Sequence, residues 1–185
     1  VLGLIVAAPL MLLAAAAVKL TSRGPVLFKQ ERVGLKGRPF VMYKFRTMYS
    51  DSEDVRPILE RLNERERPIF KIRRDPRVTP VGRFLRRSSI DELPQLINVL
   101  RGEMSLVGPR PLWVEEASRE RGLALLRTAV KPGLTCLWQI SGRSELSYET
   151  WVKLDVLYVL HRSFLLDLMI LFQTGPVVLS EHGAY

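Results

Sequence analysis

The densest chemistry in this 185-residue chain lies in the run Arg86-Arg87-Ser88-Ser89-Ile90-Asp91-Glu92-Leu93-Pro94-Gln95-Leu96. Proline is most comfortable at the first position of a helix, and it keeps the preceding residue out of the helical region. Asp91 and Glu92 are therefore expected at the entrance of a helix that begins near Pro94. The free N–H groups and positive dipole end at such an entrance favour an ionised carboxylate and a bound phosphate. Arg86 and Arg87, just upstream, can clamp phosphate oxygens in pairs. A carboxylate among such donors can attack phosphorus or hold a divalent metal that bridges phosphates. Ser89-x-x-Glu92 also matches a capping box, in which both side chains only satisfy backbone donors. That arrangement would place Pro94 at the fifth helical position, where its ring and missing N–H are costly. Local sequence leaves both readings open.

Two further clusters carry functional groups. Ser105 to Pro111 is a rigid turn that presents Arg110 between two prolines, although an exposed turn with a solvated arginine has the same pattern. Lys131 to Thr135, followed by Trp138 to Arg143, brings aromatic, amide and basic groups that can meet a base, a ribose or a phosphate. The plainer alternative is a loop whose Trp138 fills the core. His161 and His182 have no partner at ligand spacing and read as surface or interface residues.

The formal net charge is +9, with basic residues concentrated in Lys19 to Arg46 and Lys71 to Arg87. Such density attracts nucleic acid, lipid headgroups or a phosphorylated substrate. The chain has no zinc-finger spacing, recognition-helix signature or base-stacking pattern, so no nucleic-acid partner is expected. A protein that only binds anionic lipid would explain the charge, but not the placing of Arg86, Asp91, Glu92 and Arg110 in proline-rigid turns. The single cysteine, Cys136, excludes an internal disulfide and gives no zinc site, which points to a reducing interior.

These groups must be positioned by a small set of elements. Val1 to Val18 is uncharged, and a helix of that length rises roughly 27 Å, just short of a hydrocarbon core of about 30 Å. Pro9 bends it, so a re-entrant helix that enters and leaves one face fits as well as a span. The basic cluster after it places the remaining chain on the cytoplasmic side. The chain opens without methionine, deep in apolar sequence, and reads as part of something longer. Val26 to Arg32 and Phe40 to Phe45 read as strands around the turn Gly34 to Gly37. Helices are expected over Asp51 to Asn63, Val81 to Arg87, Pro94 to Arg101, Leu112 to Ala129, Tyr148 to Leu160 and Phe164 to Leu179, the last apolar enough to lie at the membrane. The expected fold class is α+β, mainly helical, with a re-entrant membrane helix, a small strand component and amphipathic interfacial helices. Its expected division is a membrane-inserted segment 1–20 and a catalytic domain 21–185.

An ordered set of motifs runs through nearly the whole chain. It comprises Leu20-Thr21-Ser22, Gly24-Pro25, Gln30 with Arg32-Val33-Gly34, Tyr43 to Met48, Asp75 to Thr79, and Gly82 to Arg86. Asp91 to Gln95, Ser105 to Pro111, Pro132 to Thr135, Trp138 to Arg143 and Leu154-Asp155 with Tyr158, Ser163, Asp167 and Ile170 complete it. In these stretches the chain resembles the bacterial sugar transferase family, the monotopic phosphoglycosyl transferases that start surface glycan assembly, including exopolysaccharide, lipopolysaccharide and capsule.

The resemblance implies a Mg²⁺-dependent, two-step transferase of the bacterial inner membrane that works at the cytoplasmic face. Asp91 would attack the sugar-bearing phosphate of a UDP-sugar and release UMP, and polyprenyl (undecaprenyl) phosphate would then collect the phosphosugar. Glu92 would assist, and Asp91 would also meet the metal. Arg86, Arg110, Lys44, Arg46, Gln139 and Arg143 would bind substrate, and Pro9 would kink the membrane helix. Partners would be the two substrates and the lipid bilayer, with a homo-oligomer allowed. Ala8, where a serine often precedes the proline, Cys136, where glycine is common, and His161-Arg162 depart from the pattern without touching Asp91 or Glu92.

Overall fold

The uncharged run at the start of the chain forms helix α1, Leu2–Thr21, in the computed structural model, which describes residues 1–50, 52, 54–64, 72, 74–119 and 121–179. With 20 residues, α1 is long and apolar enough to cross a membrane by length and composition. Only 11% of its apolar window is covered by the rest of the protein, which is not the environment of a core helix. Pro9 lies inside α1, so any bend there is a kink within one helix rather than a gap between two. At its C-terminal half, Ala14 and Val18 pack with Phe45 and Leu85, so this end of the apolar helix shares a core with the chain that follows.

Two antiparallel strands, β1 (Leu27–Val33) and β2 (Pro39–Phe45), pair in the register Leu27↔Phe45 to Val33↔Pro39. The connection turns at Lys36 and Gly37, both with positive φ, a conformation that glycine adopts freely. The expected helix over Asp51 to Asn63 is shorter: α2 covers Arg56–Leu59 and passes into a 3₁₀ turn, Glu60–Leu62, while Asp51 and Glu53 lie outside the described residues.

Helix α3 (Pro80–Arg87) starts with Pro80 at its first position, and the Thr79 hydroxyl accepts a bond from the Gly82 N–H at 2.8 Å. A Cβ at Gly82 would overlap the Thr47 carbonyl, so glycine is what lets α3 lie against the end of β2. Helix α4 (Gln95–Leu100) follows Pro94 and is closed by Gly102 at φ +77. Its fully buried Asn98 acts as a strand substitute along β2. The Asn98 amide accepts from the Tyr43 N–H at 3.1 Å and donates to the Val41 carbonyl and Glu103 Oε2, both at 2.7 Å.

The second half holds a feature that periodicity did not indicate, a parallel pair of short strands, β3 (Ser105–Val107) and β4 (Gly133–Thr135). The single helix expected over Leu112 to Ala129 is instead α5 (Val114–Arg119) and a 3₁₀ segment, Gly122–Thr128. Gly122, at φ +57, stands where the second begins, and a left-handed residue ends helical geometry. After α6 (Leu137–Ile140), helix α7 (Tyr148–His161) is capped by Ser147, whose Oγ accepts from the Thr150 N–H at 3.2 Å. Helix α8 (Phe164–Leu179) has the bounds expected of it. It is tied to α7 by a 2.7 Å bond from the Tyr158 hydroxyl to Asp167 Oδ1. Ile170 is wholly buried with Val107, Val130 and Tyr158, while Phe164, Leu165 and Phe172 of α8 stay exposed. Among the described residues 57% are helical and four short strands form two pairs, so the fold is α+β and mainly helical. His182 lies outside the described residues.

Asn98→Ala should leave the Tyr43 N–H and the Val41 carbonyl without their buried partner. A loss of about 2–4 kcal/mol in denaturant-unfolding stability is expected from unmade hydrogen bonds and lost volume. A change within error would mean that Asn98 does not hold α4 to β2.

Candidate active site

Asp91 and Glu92 sit in a 3₁₀ turn, Ile90–Glu92, between α3 and α4. The turn follows Ser89, which is left-handed at φ 55. Neither side chain of the expected capping box caps a helix. Ser89 Oγ takes a 3.0 Å bond from Arg143 Nη2, and Glu92 Oε1 takes one at 2.6 Å from Lys44 Nζ on β2. The backbone N–H of Glu92 turns back to the Ser89 carbonyl at 3.2 Å, closing the turn without side-chain help. The two neighbouring carboxylates thus point to different surroundings.

Asp91 is 8% exposed. Burial and the adjacent Glu92 carboxylate push its carboxyl up to about 6, against the opposing pull of Lys44 and Arg86. Burial works in the same direction on Glu92, but the charge and hydrogen bond of Lys44 outweigh it and hold Glu92 below the usual carboxylate range. A raised and a lowered carboxyl side by side are the signature of divided roles. Arg86 faces Asp91 with its Nε bonded to Thr47 Oγ1 at 2.9 Å. Burial lowers the Arg86 guanidinium, which Asp91 and Asp75 partly offset.

A cavity of about 80 Å³ opens beside the turn and is walled by Arg32, Lys44, Glu92, Arg110, Trp138 and Gln139, among others. Several waters, or one phosphate group with its oxygens, fit such a volume, whereas a whole nucleotide sugar does not. Asp91 is not among the lining residues but directly precedes Glu92, which is. The parallel pairing of β3 and β4 brings the Gly108-Pro109-Arg110-Pro111 turn against Lys131 to Gln139. A Cβ at Gly108 would meet the Lys131 carbonyl oxygen at 2.5 Å, so this approach needs glycine. Arg110 then lies 5.6 Å from the Trp151 ring centre and 3.5 Å from Glu116 Oε1.

Trp138 is 9% exposed and stacks on Trp151 with ring centres 4.4 Å apart, so it fills the core and walls the cavity at once. Two buried donors in that wall, Arg110 Nη1 and Trp138 Nε1, have no hydrogen-bond acceptor among the described residues. Buried donors without acceptors are rare in folded proteins and fit a site that receives an acceptor-rich ligand. Gln139 Oε1 accepts from the buried Cys136 thiol at 3.3 Å, and burial holds that thiol well above its ordinary range.

Of the residues expected to bind substrate, Lys44, Arg110 and Gln139 are on the cavity wall. Arg86 is on the Asp91 side, and Arg143 bridges to the same turn through Ser89. Arg46 stands apart. Its guanidinium donates to the carbonyls of Ser22 at 2.9 Å, Arg23, and Pro25 at 2.7 Å, so it closes the loop that leaves α1 instead of facing the cavity. Arg32 and Gln95 are cavity residues that the sequence placed among the family motifs without giving them a role at the site. For Arg32 the available signal was its place two residues after Gln30 on one strand face. Behind the site, Arg127 and Asp155, 1% and 0% exposed, form a 2.8 Å ion pair. Burial still raises the Asp155 carboxyl to about 6 against the pull of Arg127.

A family model described as "Bacterial sugar transferase" matches residues 1–181. The chain is similar to exopolysaccharide production protein ExoY of Rhizobium meliloti, at 44% identity over 99% of this chain and 83% of that protein. It is also similar to the undecaprenyl-phosphate galactose phosphotransferase of Salmonella typhimurium, at 44% identity over 98% of this chain and 39% of that protein. A third relative is the UDP-glucose:undecaprenyl-phosphate glucose-1-phosphate transferase of Klebsiella pneumoniae, 44% identical over 92% of this chain and 36% of that protein.

Lys44→Met should leave the Glu92 carboxylate in its part-buried place without a counter-charge. The Lys44 contribution is present above the ordinary Glu92 value, 4.5, and is lost as pH falls through the lowered folded value. Thermal melts should therefore show the wild type more stable than the variant near neutral pH, with the gap closing below about pH 4.5. A gap independent of pH would contradict the pairing.

Proposed function

The chain belongs to the bacterial sugar transferase family, and from that premise we propose that it moves a sugar 1-phosphate from a UDP-sugar to polyprenyl phosphate through a phosphosugar held on Asp91. The observation that carries this reading is the pairing of a buried carboxylate, raised by its surroundings and faced by Arg86, with a neighbouring carboxylate held ionised by Lys44. The names of the Salmonella and Klebsiella relatives supply the lipid carrier and the donor class.

In the first step a carboxylate oxygen of Asp91 forms a bond to the phosphorus that bears the sugar. The bond from that phosphorus to the bridging oxygen breaks, and UMP leaves with the electron pair. In the second step an oxygen of polyprenyl phosphate attacks the same phosphorus and Asp91 regains its carboxylate. Arg86 and Arg110 would hold phosphate oxygens, with Lys44 keeping Glu92 aligned. Glu92, Gln139 and Arg143 complete the proposed contacts, Gln139 and Arg143 on the nucleotide side.

Among the described residues no group of three or more His, Cys, Asp or Glu side chains is placed to hold a metal. Mg²⁺ nevertheless takes one or two carboxylates and completes its shell with waters and substrate phosphates. Asp91, with Glu92 beside it, fits that limited role, and the buried Asp91 charge favours a cation. Bound there, Mg²⁺ would neutralise charge on the diphosphate.

α1, with Lys19 and Arg23 at and beyond its C-terminal end, would hold the enzyme in the inner membrane with the site at the cytoplasmic face. We read it as a re-entrant membrane segment, 1–20, kinked at Pro9, with residues 21–185 as the catalytic domain.

Purified protein with Mg²⁺, a UDP-sugar and polyprenyl phosphate should release UMP, and Asp91→Asn should abolish the release while UDP-sugar alone leaves a phosphosugar adduct on the wild-type Asp91 peptide by mass spectrometry. Full turnover by the variant would remove Asp91 as nucleophile. Because Asp91 must be ionised to attack, turnover should fall as pH is lowered through about 6. Single cysteines placed at Val1 and Thr21 should react with an impermeant reagent from the same face of sealed vesicles. Reaction from opposite faces would indicate a span.

A further inference from the structure

Arg32 is the cavity residue whose chemistry is least accounted for. It leaves β1 toward the cavity and is 5% exposed. Its guanidinium carbon lies 3.9 Å from the centre of the Trp113 ring. Nε and Nη2 donate to Gln30 Oε1 at 3.1 and 2.5 Å, and Nη1 donates to the Pro111 carbonyl at 3.3 Å. A guanidinium has five N–H groups, so these three bonds leave two unused.

No carboxylate among the described residues lies within 4.0 Å of its nitrogens. Glu92 and Glu116 are the negative charges that act on it from a distance. Glu92 is held by Lys44 and Glu116 lies against Arg110. Burial and the like charge of Arg110 push Arg32 down to about 9, so it remains a cation at neutral pH. A buried charge without a counter-ion is expensive, and stacking on Trp113 offsets only part of the cost. Across the same cavity, Arg110 Nη1 and Trp138 Nε1 are donors without acceptors. Arg32, Arg110 and Trp138 therefore line one cavity with N–H groups that no hydrogen bond among the described residues uses, and the two carboxylates near them are already engaged, Glu92 by Lys44 and Glu116 by Arg110 at 3.5 Å.

We propose that Arg32 is a phosphate-binding residue, its unused N–H groups acting with Arg110 and the Trp138 indole N–H to hold one phosphoryl group of a substrate inside the cavity. The identity of that substrate rests on the transfer reading above, while the presence of an anion site does not. The phosphoryl group can come from the nucleotide sugar or from the lipid phosphate, which share this chemistry.

The first measurement is a thermal melt of the purified full chain titrated with inorganic pyrophosphate. Pyrophosphate should raise the midpoint of the wild type, and Arg32→Gln should bind it about tenfold to a hundredfold more weakly, the usual worth of charge-assisted hydrogen bonds. Steady-state kinetics of the same variant locate the source. A raised KM for the UDP-sugar assigns the phosphoryl group to the donor, and a raised KM for polyprenyl phosphate assigns it to the acceptor. Arg32→Lys, which keeps the charge but not the planar fork, should fall between wild type and Arg32→Gln. Folded Arg32→Gln with wild-type pyrophosphate affinity and both KM values unchanged would overturn the proposal. Should Arg32→Gln fail to fold, tryptophan emission of the wild type decides. Pyrophosphate should alter it through the stacked Trp113, and Trp113→Phe should remove that part of the change. A wild-type signal that pyrophosphate leaves untouched, or one that survives Trp113→Phe in full, counts against Arg32. If the wild type binds pyrophosphate through Arg32 yet releases no UMP with any UDP-sugar, the transfer reading fails and the anion site stands.

Discussion

The 2.6 Å pair between Lys44 and Glu92 joins strand β2 to the turn between α3 and α4, elements far apart in sequence, and the rest of the site is arranged around it. It fixes Glu92 as the ionised member of the acidic couple and aims it into the cavity. Burial dominates the titration of Asp91, and the charges of Lys44 and then Arg86 only partly offset it. One ion pair thus gives two adjacent, chemically similar groups different protonation behaviour. The position of β2 itself depends on Asn98, whose amide replaces the strand partner that β2 lacks on that side.

Concentrating cations around a small cavity is a cost that the fold meets through neighbouring interactions. Arg32 is stacked on Trp113, Arg110 lies by Glu116 and the Trp151 ring, and Lys44 has Glu92. The wall itself is stiff. Trp138 and Trp151 stack behind it, and close backbone approaches at Gly108 and Gly133 lock the parallel strand pair together. Such a wall loses little freedom on receiving an anion, which is the physical content of preorganisation for phosphoryl transfer.

The same molecule presents two apolar surfaces without partners in the fold, the N-terminal half of α1 and the outer face of α8 with Phe164, Leu165 and Phe172. Docking of Ala14 and Val18 of α1 against Phe45 and Leu85 places the end of that helix next to β2 and α3, the elements that carry Lys44 and Arg86. Arg46 strengthens this join by gathering three carbonyls of the loop leaving α1. An arginine in a strongly basic motif therefore braces the connection between apolar helix and site, because backbone carbonyls of a part-buried loop need donors as much as phosphates do.

Most of the regular elements were legible in the sequence. The turn at Gly34 to Gly37 between β1 and β2, the proline before α4, the Ser147 cap and the uncharged run of α1 are local patterns, and local patterns determine local structure. Local pattern falls short where a contact joins distant segments or where a single residue breaks a period. Gly122 divided what looked like one helix, and the parallel strands were too short to show alternation. Pro94 made the capping box costly from sequence alone, and the fold then gave its two side chains other partners, Lys44 for Glu92 and Arg143 for Ser89. Arg46 and Arg32 are the clearest cases, since residue type and neighbourhood in sequence give them equal claims on a phosphate. Only the tertiary structure decides that one guanidinium is used up by backbone carbonyls while the other, held by Gln30, Pro111 and Trp113, lines a cavity, because a charge acquires its role from what is packed within a few ångströms of it in space.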